Sequence, residues 1–138
     1  MRDRPLYLLD SNVCIVYLNG RSEALQRRLD AIDSHLVAVC SVVKAELFYG
    51  AKRSNNPAKA LEEQRLFLAQ FVSFPFDDAC SEIYGNIRAN LAGLGTPIGA
   101  NDLLIAAIAL ANELTLVTHN IREFSRVPEL QVEDWEVA

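Results

Sequence analysis

The sequence has few of the residues on which extracellular proteins and many enzymes depend. Its three cysteines, Cys14, Cys40 and Cys80, are widely spaced, so they form neither a disulfide framework nor a Cys-x-x-Cys metal motif, and we expect them to be buried apolar side chains. The two histidines, His35 and His119, are too few and too far apart to indicate a zinc site or a Ser/His/Asp triad. The phosphate-binding loop, the dinucleotide glycine pattern and the Gly-x-Ser-x-Gly motif are also missing from the sequence.

Long apolar runs are scarce as well. The apolar residues 6–9 are too few for the core of a signal peptide. The most apolar uncharged run, residues 103–111, has about half the length that is needed to cross a bilayer. We therefore expect a cytoplasmic protein without a membrane segment.

Composition favours a single compact domain over residues 1–138. Hydrophobic residues make up 51% of the chain and charged residues 22%, which provides enough apolar material for a core and argues against disorder. Short apolar strands that alternate with helical patterns predict an α/β domain around a parallel sheet. The predicted strands are residues 6–9, 35–40, 114–118 and about 130–132, and residues 72–76 are an edge strand or a connection because they contain Pro75.

Capping residues and the spacing of apolar residues indicate the helices between these strands. A turn at residues 10–12 precedes the first helix, and a loop at residues 93–99 precedes the last long one. The predicted helices are residues 13–18, a segment capped by Ser22, and residues 42–52, 57–70, 77–91 and 103–112. The last of these is apolar on nearly all sides, which indicates that it is buried.

Acidic residues follow the predicted strands, at the edge where open parallel sheets bind ligands. Asp10 comes directly after the first strand, and Glu46 lies one turn into the helix after the second. Asp102 lies at the start of the buried helix, and Glu123 follows the last long strand. These four acids belong to four separate segments, and the predicted fold allows all of them to meet at one end of the sheet.

Each acid also has a structural interpretation. Asp10 would cap the helix after it, and Asp102 would be favoured by the dipole at a helix N-terminus. Glu123 would be an exposed acid in a turn. Glu46 is harder to explain in this way, because helical spacing surrounds it with an otherwise apolar face at positions 42, 43, 49 and 50. A carboxylate on such a face needs a partner or a metal ion, since an unpaired buried charge is costly.

Carboxylates without histidine or thiolate ligands suit a hard cation, Mg²⁺ or Mn²⁺, which commonly serves phosphate chemistry. The chain has 13 Lys+Arg against 18 Asp+Glu, a net charge of −5, and 14 acids remain when the four candidate ligands are set aside. The acidic total therefore does not exclude a nucleic-acid substrate. Solvated surface positions are the alternative for most of the basic residues. The candidate phosphate contacts are Lys44, Lys52, Arg53, Arg88, Arg122 and Arg126.

Four motifs in a fixed order carry a resemblance to a known family. They are residues 8–12 (LLDSN), 44–51 (KAELFYGA), 97–107 (PIGANDLLIAA) and 116–124 (LVTHNIREF), followed by Arg126-Val127-Pro128 and Asp134-Trp135. Each motif alone is weak, but together they cover almost the whole chain. In this order and spacing the sequence resembles the PIN-domain ribonucleases of the VapC toxin type.

The resemblance implies a three-layer α/β/α sandwich around a mainly parallel sheet. It also implies an endoribonuclease that depends on Mg²⁺, with Mn²⁺ as the alternative ion. Such an enzyme hydrolyses phosphodiester bonds of structured RNA, tRNA or rRNA, by metal-activated water. The family further implies the toxin component of a type II toxin–antitoxin pair, a homodimer that a cognate VapB-type antitoxin holds inactive in a larger assembly.

By the same resemblance, the metal-binding aspartates of the family correspond to Asp10 and Asp102, and its glutamate to Glu46, which would bind the metal directly or through water. Many relatives carry a fourth acid where this chain has Asn120, and we expect Glu123 to take its place. These four acids are the expected catalytic residues.

Three further residues are expected to act through the acids. Asn12, Thr118 and Asn120 would orient the carboxylates or the water around them. Ser11 stands where the family usually has threonine, and it keeps the hydroxyl group.

Other functions stay open at this point. One is a non-catalytic PIN-like domain that binds RNA or protein, and another is a PIN-type nuclease that acts on DNA. Asp10, Glu46 and Asp102 together argue against the first, because a binding module does not need such a cluster of carboxylates. A phosphoryl-accepting receiver domain fits poorly, since it normally has an acidic pair after the first strand, where this chain has Ser11 and Asn12.

Overall fold

The computed structural model describes residues 4–137, in which strands and helices alternate. The strands are β1 (Tyr7–Leu9), β2 (Val37–Cys40), β3 (Val72–Phe74), β4 (Thr115–Val117) and β5 (Val132–Glu133). The helices are α1 (Ser11–Asn19), α2 (Glu23–Ala31), α3 (Ser41–Lys52), α4 (Pro57–Leu68), α5 (Asp78–Leu94), α6 (Ala100–Ala111) and α7 (Ile121–Phe124), with a 3₁₀ turn at Ser34–Leu36. The predicted single domain over residues 1–138 includes residues 1–3 and 138, which lie outside the described residues, and it stays a prediction.

The five strands form one sheet in the order β3-β2-β1-β4-β5, and every neighbouring pair is parallel. Tyr7 of β1 pairs with Val37 of β2 on one side and with Thr115 of β4 on the other. From β1 the chain builds β2 and β3 on one side of the sheet and later adds β4 and β5 on the other. The carboxyl ends of β1 and β4 therefore lie side by side where the strand order reverses, which is the usual ligand-binding position in open α/β sheets.

Helices flank the sheet, and the predicted α/β/α architecture with a parallel sheet is confirmed. The middle of the core consists of fully buried strand residues such as Leu8, Leu9, Leu116 and Val117. Helix α6 is buried on nearly all sides, as its apolar sequence predicts, and it packs against α5. Burial of this much apolar surface is the main term that favours folding.

The first helix begins earlier than the sequence suggests. Asp10 adopts an extended conformation and its carboxylate accepts a hydrogen bond from the N–H of Val13 at 2.8 Å. An aspartate in this position satisfies an N–H that the first helical turn leaves free, so the strand leads directly into α1 at Ser11. The predicted turn at residues 10–12 is therefore wrong. Ser22 caps α2 as predicted, by accepting from the N–H of Leu25 at 3.2 Å.

The predicted loop at residues 93–99 is shorter in the structure. Helix α5 continues through Gly93 to Leu94, and the residue that ends it is Gly95. Gly95 has a φ of +72°, a left-handed conformation that glycine adopts without steric cost, and its N–H donates to the carbonyl of Ala92. Helix α6 begins at Ala100, so Asp102 lies within its first turn.

Three other features agree with the sequence predictions. β3 lies at the edge of the sheet and ends before Pro75. Proline has no N–H to donate to a neighbouring strand, so it is excluded from inner strands. Cys14, Cys40 and Cys80 are buried free thiols. Among residues 4–137, no helix has the length and apolarity that a membrane crossing requires.

Trp135 anchors the C-terminal segment to the sheet. Its side chain is 2% exposed and packs edge-on against the ring of Tyr7, with the ring centroids 5.0 Å apart. The indole N–H donates to Glu133 at 2.9 Å, and the guanidinium of Arg28 lies 4.8 Å from the centre of the indole ring. These contacts fix the positions of the residues on either side of Trp135.

We predict that Trp135→Ala lowers the free energy of unfolding by about 3–5 kcal/mol, because it leaves a cavity against the sheet. The control is Val137→Ala, since Val137 lies two residues later and is 61% exposed. Its effect should stay below about 0.5 kcal/mol. Urea unfolding followed by circular dichroism measures the stability of both variants. If Trp135→Ala were as stable as Val137→Ala, Trp135 would not anchor the C-terminal segment.

Candidate active site

A cleft of about 540 Å³ opens at the carboxyl ends of β1 and β4. Separate segments of the chain contribute to it, and three of the four predicted acids line it. The fourth, Glu123, lies beside Asp102 at the edge of the cleft. The lining residues are Asp10, Ser11, Asn12, Ile15, Glu46, Asp102, His119, Asn120 and Phe124.

Asp10 is held in the cleft by the strand that it follows and the helix that it caps. Its exposed fraction is 6%, and its carboxylate accepts a hydrogen bond from the N–H of Val13. Burial raises the pKa of Asp10, the hydroxyl of Thr118 and the N–H of Val13 oppose this rise, and the negative charges of Glu136 and Glu46 add to it. Asp10 therefore both caps α1 and lines the cleft.

Glu46, on α3, is half-buried and has two polar partners. Its carboxylate accepts a hydrogen bond from the hydroxyl of Ser11 and another, at 3.0 Å, from the side-chain amide of Asn101. The expected apolar neighbours are present on one side, where Glu46 lines a second pocket with Val42 and Leu104. Ser11 and Asn101 are the partners that a carboxylate on such a face needs. Sequence reasoning missed Asn101 as a site residue, although its place directly before Asp102 was an available signal.

Asp102 and Glu123 form a pair of adjacent carboxyl groups. Burial, followed by the charge and the hydrogen bond of Glu123, raises the pKa of Asp102 to about 7. The N–H of Gly99 donates to Glu123 at 2.9 Å and the side-chain amide of Asn120 at 2.8 Å, and these hydrogen bonds lower the pKa of Glu123. In the metal-free protein below pH 7, the proton of the pair therefore lies mainly on Asp102 and the charge on Glu123.

The three residues expected to orient the acids differ in their contacts. Thr118 is fully buried, its hydroxyl lowers the pKa of Asp10, and its oxygen accepts from the N–H of Asn120 at 3.0 Å. Asn120 in turn orients Glu123 through its side chain. Asn12 is exposed on the wall of the cleft.

A different set of side chains forms the tightest group of potential metal ligands in the part of the chain that the structure describes. His119, Asp134 and Glu136 have ligand atoms that all lie within 4.8 Å of one another. Within residues 4–137, the predicted acids form no group that is this compact. The spacing of the two histidines along the chain gave no indication of this group. The carboxylate partners of His119 come from the segment that follows β5.

The six basic residues proposed as phosphate contacts do not line the cleft in the described structure. Arg126 donates to the carbonyl of Pro97 at 3.2 Å. Arg53 lies 5.2 Å from the ring centre of Tyr49. The basic group that does line the cleft is His119.

Comparison with known proteins identifies relatives of nearly the same length. The PIN domain family matches residues 7–130. The chain is 36% identical to Ribonuclease VapC2 of Rickettsia felis, covering 95% of this chain and 98% of that protein. It is 34% identical to the tRNA(fMet)-specific endonuclease VapC of Salmonella typhimurium, covering 94% and 97%. The crystal structure of DNA-bound VapBC from Salmonella typhimurium has a similar chain, with a TM-score of 0.90 and 34% identity over 95% of this chain and 98% of that one.

The crowding of acids predicts an unusual dependence of stability on pH. Because the pKa of Asp102 is raised to about 7, the folded protein keeps a proton there that the unfolded chain loses near pH 4. The free energy of unfolding of the metal-free protein should therefore fall as the pH rises between these values and level off above pH 7. Since Asp102 is half-exposed and screened by solvent, we expect this fall in the free energy of unfolding to be on the order of 1 kcal/mol. Asp102→Asn should lack this contribution and be equally or more stable at pH 8, as measured by urea unfolding in EDTA at pH 5 and pH 8.

The matched control for this prediction is Asp78→Asn. Asp78 lies in the first turn of α5, as Asp102 lies in the first turn of α6, but Asp78 is exposed. Its charge favours the helix N-terminus, so the control should lose up to about 0.5 kcal/mol at both pH values. An Asp102→Asn variant that behaves like the control would show that Asp102 serves only the helix.

Proposed function

The chain belongs to the PIN-domain family of VapC-type ribonucleases, and we propose that it is a metal-dependent endoribonuclease whose active site is the cleft between β1 and β4. The observation that carries the proposal is that Asp10, Glu46 and Asp102 come from three separate segments and line one cleft. The position of Glu123 beside Asp102 supports the proposal that this fourth acid also takes part in the reaction. A helix cap or a surface acid would not require this convergence.

Nucleases of this family generally use a divalent metal ion, and the donor set here fits one. The carboxylates of Asp10, Asp102 and Glu46 offer hard oxygen ligands, as Mg²⁺ and Mn²⁺ prefer. Burial, followed by the charge of Glu123, raises the pKa of Asp102, and a bound cation would favour the ionised form of this carboxyl group. We assign Mg²⁺ to these three residues, with Mn²⁺ as the alternative.

The chain's own residues would prepare the hydrolysis of a phosphodiester. When bound, the ion supplies polarisation of a phosphoryl oxygen and acidification of water. Glu46 accepts the proton of the attacking water, and its hydrogen bonds from Ser11 and Asn101 fix its orientation. Asp10 is fixed by Val13 and Thr118 on the other side of the cleft. These contacts hold the carboxylates before the substrate arrives, which lowers the cost of organising the site during the reaction.

We propose structured RNA, tRNA in particular, as the substrate. A relative that is 34% identical over nearly its full length is named a tRNA(fMet)-specific endonuclease. A nuclease that acts on DNA and a non-catalytic binding domain are the alternatives. Cleavage assays on tRNA, rRNA and DNA of equal length distinguish the three functions.

We also propose a protein partner of the VapB antitoxin type, in an assembly that contains a homodimer of this chain in the cytoplasm. The similar crystal structure from Salmonella typhimurium is of a VapBC complex. The acidic cleft would accept a basic side chain of the partner. An arginine there would bind two carboxylates by charge-assisted hydrogen bonds and occupy the place of the metal ion.

We predict that the purified chain cleaves RNA in Mg²⁺ or Mn²⁺ and that EDTA abolishes cleavage. Asp10→Asn and Asp102→Asn should each lower the rate by about 100-fold or more, because an amide is an uncharged and weaker ligand for a hard cation. Expression of the wild-type chain should arrest growth, and expression of Asp10→Asn should be tolerated. Gel assays of labelled tRNA measure the rates.

Asp10 also caps α1, so this prediction needs a control for folding. Asp77 caps α5 in the same way, by accepting from the N–H of Cys80 at 3.2 Å, and it lies outside the lining of the cleft. Asparagine caps a helix about as well as aspartate does, so Asp77→Asn should change the stability little, as Asp10→Asn should at its own cap, and it should keep full activity. Full activity in an Asp10→Asn/Asp102→Asn double variant would show that these residues are not part of the active site.

For the partner, we predict that a neighbouring gene encodes a small protein that copurifies with this chain and suppresses RNA cleavage. Removal of the charge of Glu46 and Asp102, in Glu46→Gln/Asp102→Asn, should weaken the complex by about tenfold or more, since a charge-assisted hydrogen bond is worth about 1.5–3 kcal/mol. Isothermal titration calorimetry measures the affinity. An unchanged cleavage rate in the copurified complex would contradict inhibition.

A further inference from the structure

The acidic cleft contains one basic side chain among its described lining residues, His119. An RNA strand that enters the cleft brings phosphates, which need positive partners, and the arginines and lysines considered above do not line it. We infer that His119 is a substrate-contacting residue that binds a phosphate of the RNA in the cleft and that Asp134 is the residue that positions its imidazole. This inference rests on the proposed ribonuclease function.

The pairing of β4 with β5 places the two residues together. The N–H of Thr118 donates to the carbonyl of Glu133 at 2.9 Å, and this bond continues the parallel ladder past the end of β4. The next residues of the two segments, His119 and Asp134, therefore emerge side by side. Nδ1 of His119 lies 2.9 Å from a carboxylate oxygen of Asp134 and 4.0 Å from one of Glu136.

Burial distinguishes the carboxylates from the imidazole. The side chains of Asp134 and Glu136 are 17% and 14% exposed, whereas that of His119 is 57% exposed. Asp134 is further fixed because its second oxygen accepts the N–H of Glu136 at 2.9 Å. The bond at Nδ1 leaves Nε2 of the exposed ring free of any partner among residues 4–137. In the charged form of the ring, Nδ1–H donates to Asp134 and Nε2 also carries a proton, which it can donate to a phosphate oxygen.

Charge supports the same role. The hydrogen bond to Asp134 and the negative charges of Glu136 and Asp134 raise the pKa of His119, and Asp10 adds a smaller effect. The imidazole therefore carries a positive charge at neutral pH more often than a histidine in water does. A cation at the rim offsets the repulsion between the acids of the cleft and the RNA backbone.

The experiment measures binding of labelled tRNA to full-length chains that carry Asp102→Asn, in EDTA, so that neither cleavage nor a metal contributes. Addition of His119→Gln should lower the affinity by about tenfold, because a charge-assisted hydrogen bond is lost. The slope of log affinity against log salt concentration should become shallower by about 0.7–0.9, which corresponds to one phosphate contact. His119→Lys should restore the slope, since it keeps the charge.

His35 provides a matched control within the chain. Its Nδ1 lies 2.7 Å from Asp33 in the 3₁₀ turn, so it has the same type of partner, but it lies outside the lining of the cleft. His35→Gln should change neither the affinity nor the salt slope. In the otherwise wild-type chain with Mg²⁺, His119→Gln should raise KM for tRNA more than it lowers kcat.

The outcomes separate the two proposals. If the wild-type chain cleaves tRNA but His119→Gln leaves the affinity and the salt slope unchanged in EDTA, the role of His119 is wrong and the proposed function stands. The same conclusion holds if His119→Gln weakens binding only when a transition metal is added, because the three side chains would then act as metal ligands. If the wild-type chain neither binds nor cleaves RNA, the proposed function fails as well.

Discussion

The hydrogen bond from the backbone N–H of Asp10 to the carbonyl of Val117, 3.1 Å long, extends the pairing of β1 with β4 into the cleft. It fixes the point at which both strands end, in the centre of the sheet where the strand order reverses. Asp10 and Thr118, the first residues after the two strands, are thereby brought into contact, and both are buried. The rest of the site is arranged around this contact, since α1 starts at it and the residues that follow Thr118 form the rim.

Three of the four acids in the cleft region, Asp10, Glu46 and Glu123, are held by neutral donors. Backbone N–H groups bind Asp10 and Glu123, and hydroxyl and amide side chains bind Glu46. Neutral donors orient a carboxylate but leave its charge uncompensated, whereas a paired lysine or arginine would neutralise it. The site therefore keeps an excess of negative charge, at some cost to folding, and this excess is available for a cation or a basic side chain.

Local signals in the sequence were sufficient for most of the fold. Capping by Ser22, the edge position of β3 before Pro75 and the buried helix α6 could all be predicted, because each depends on residues that are near one another along the chain. The start of α1 and the end of α5 were misjudged. Asp10 both caps α1 and lines the cleft, and its position in the sequence does not show where the helix begins. The end of α5 at Gly95, and not at Gly93, depends on which glycine adopts a positive φ.

The sequence by itself determined the alternation of strands and helices and the presence of acids after the strands, since both are properties of short segments. The family resemblance added the expectation that Asp10, Glu46 and Asp102 act in one site, and in the structure all three line one cleft. The tertiary structure decided the partners of three side chains in and beside the cleft: Asn101 for Glu46, Gly99 for Glu123, and Asp134 for His119. Residues 119 and 134 are separated by a helix and a strand, and they meet because parallel pairing of β4 with β5 aligns the ends of the two strands. Such a contact depends on strand order and register, which are set by packing of the whole sheet and leave no local mark in the sequence.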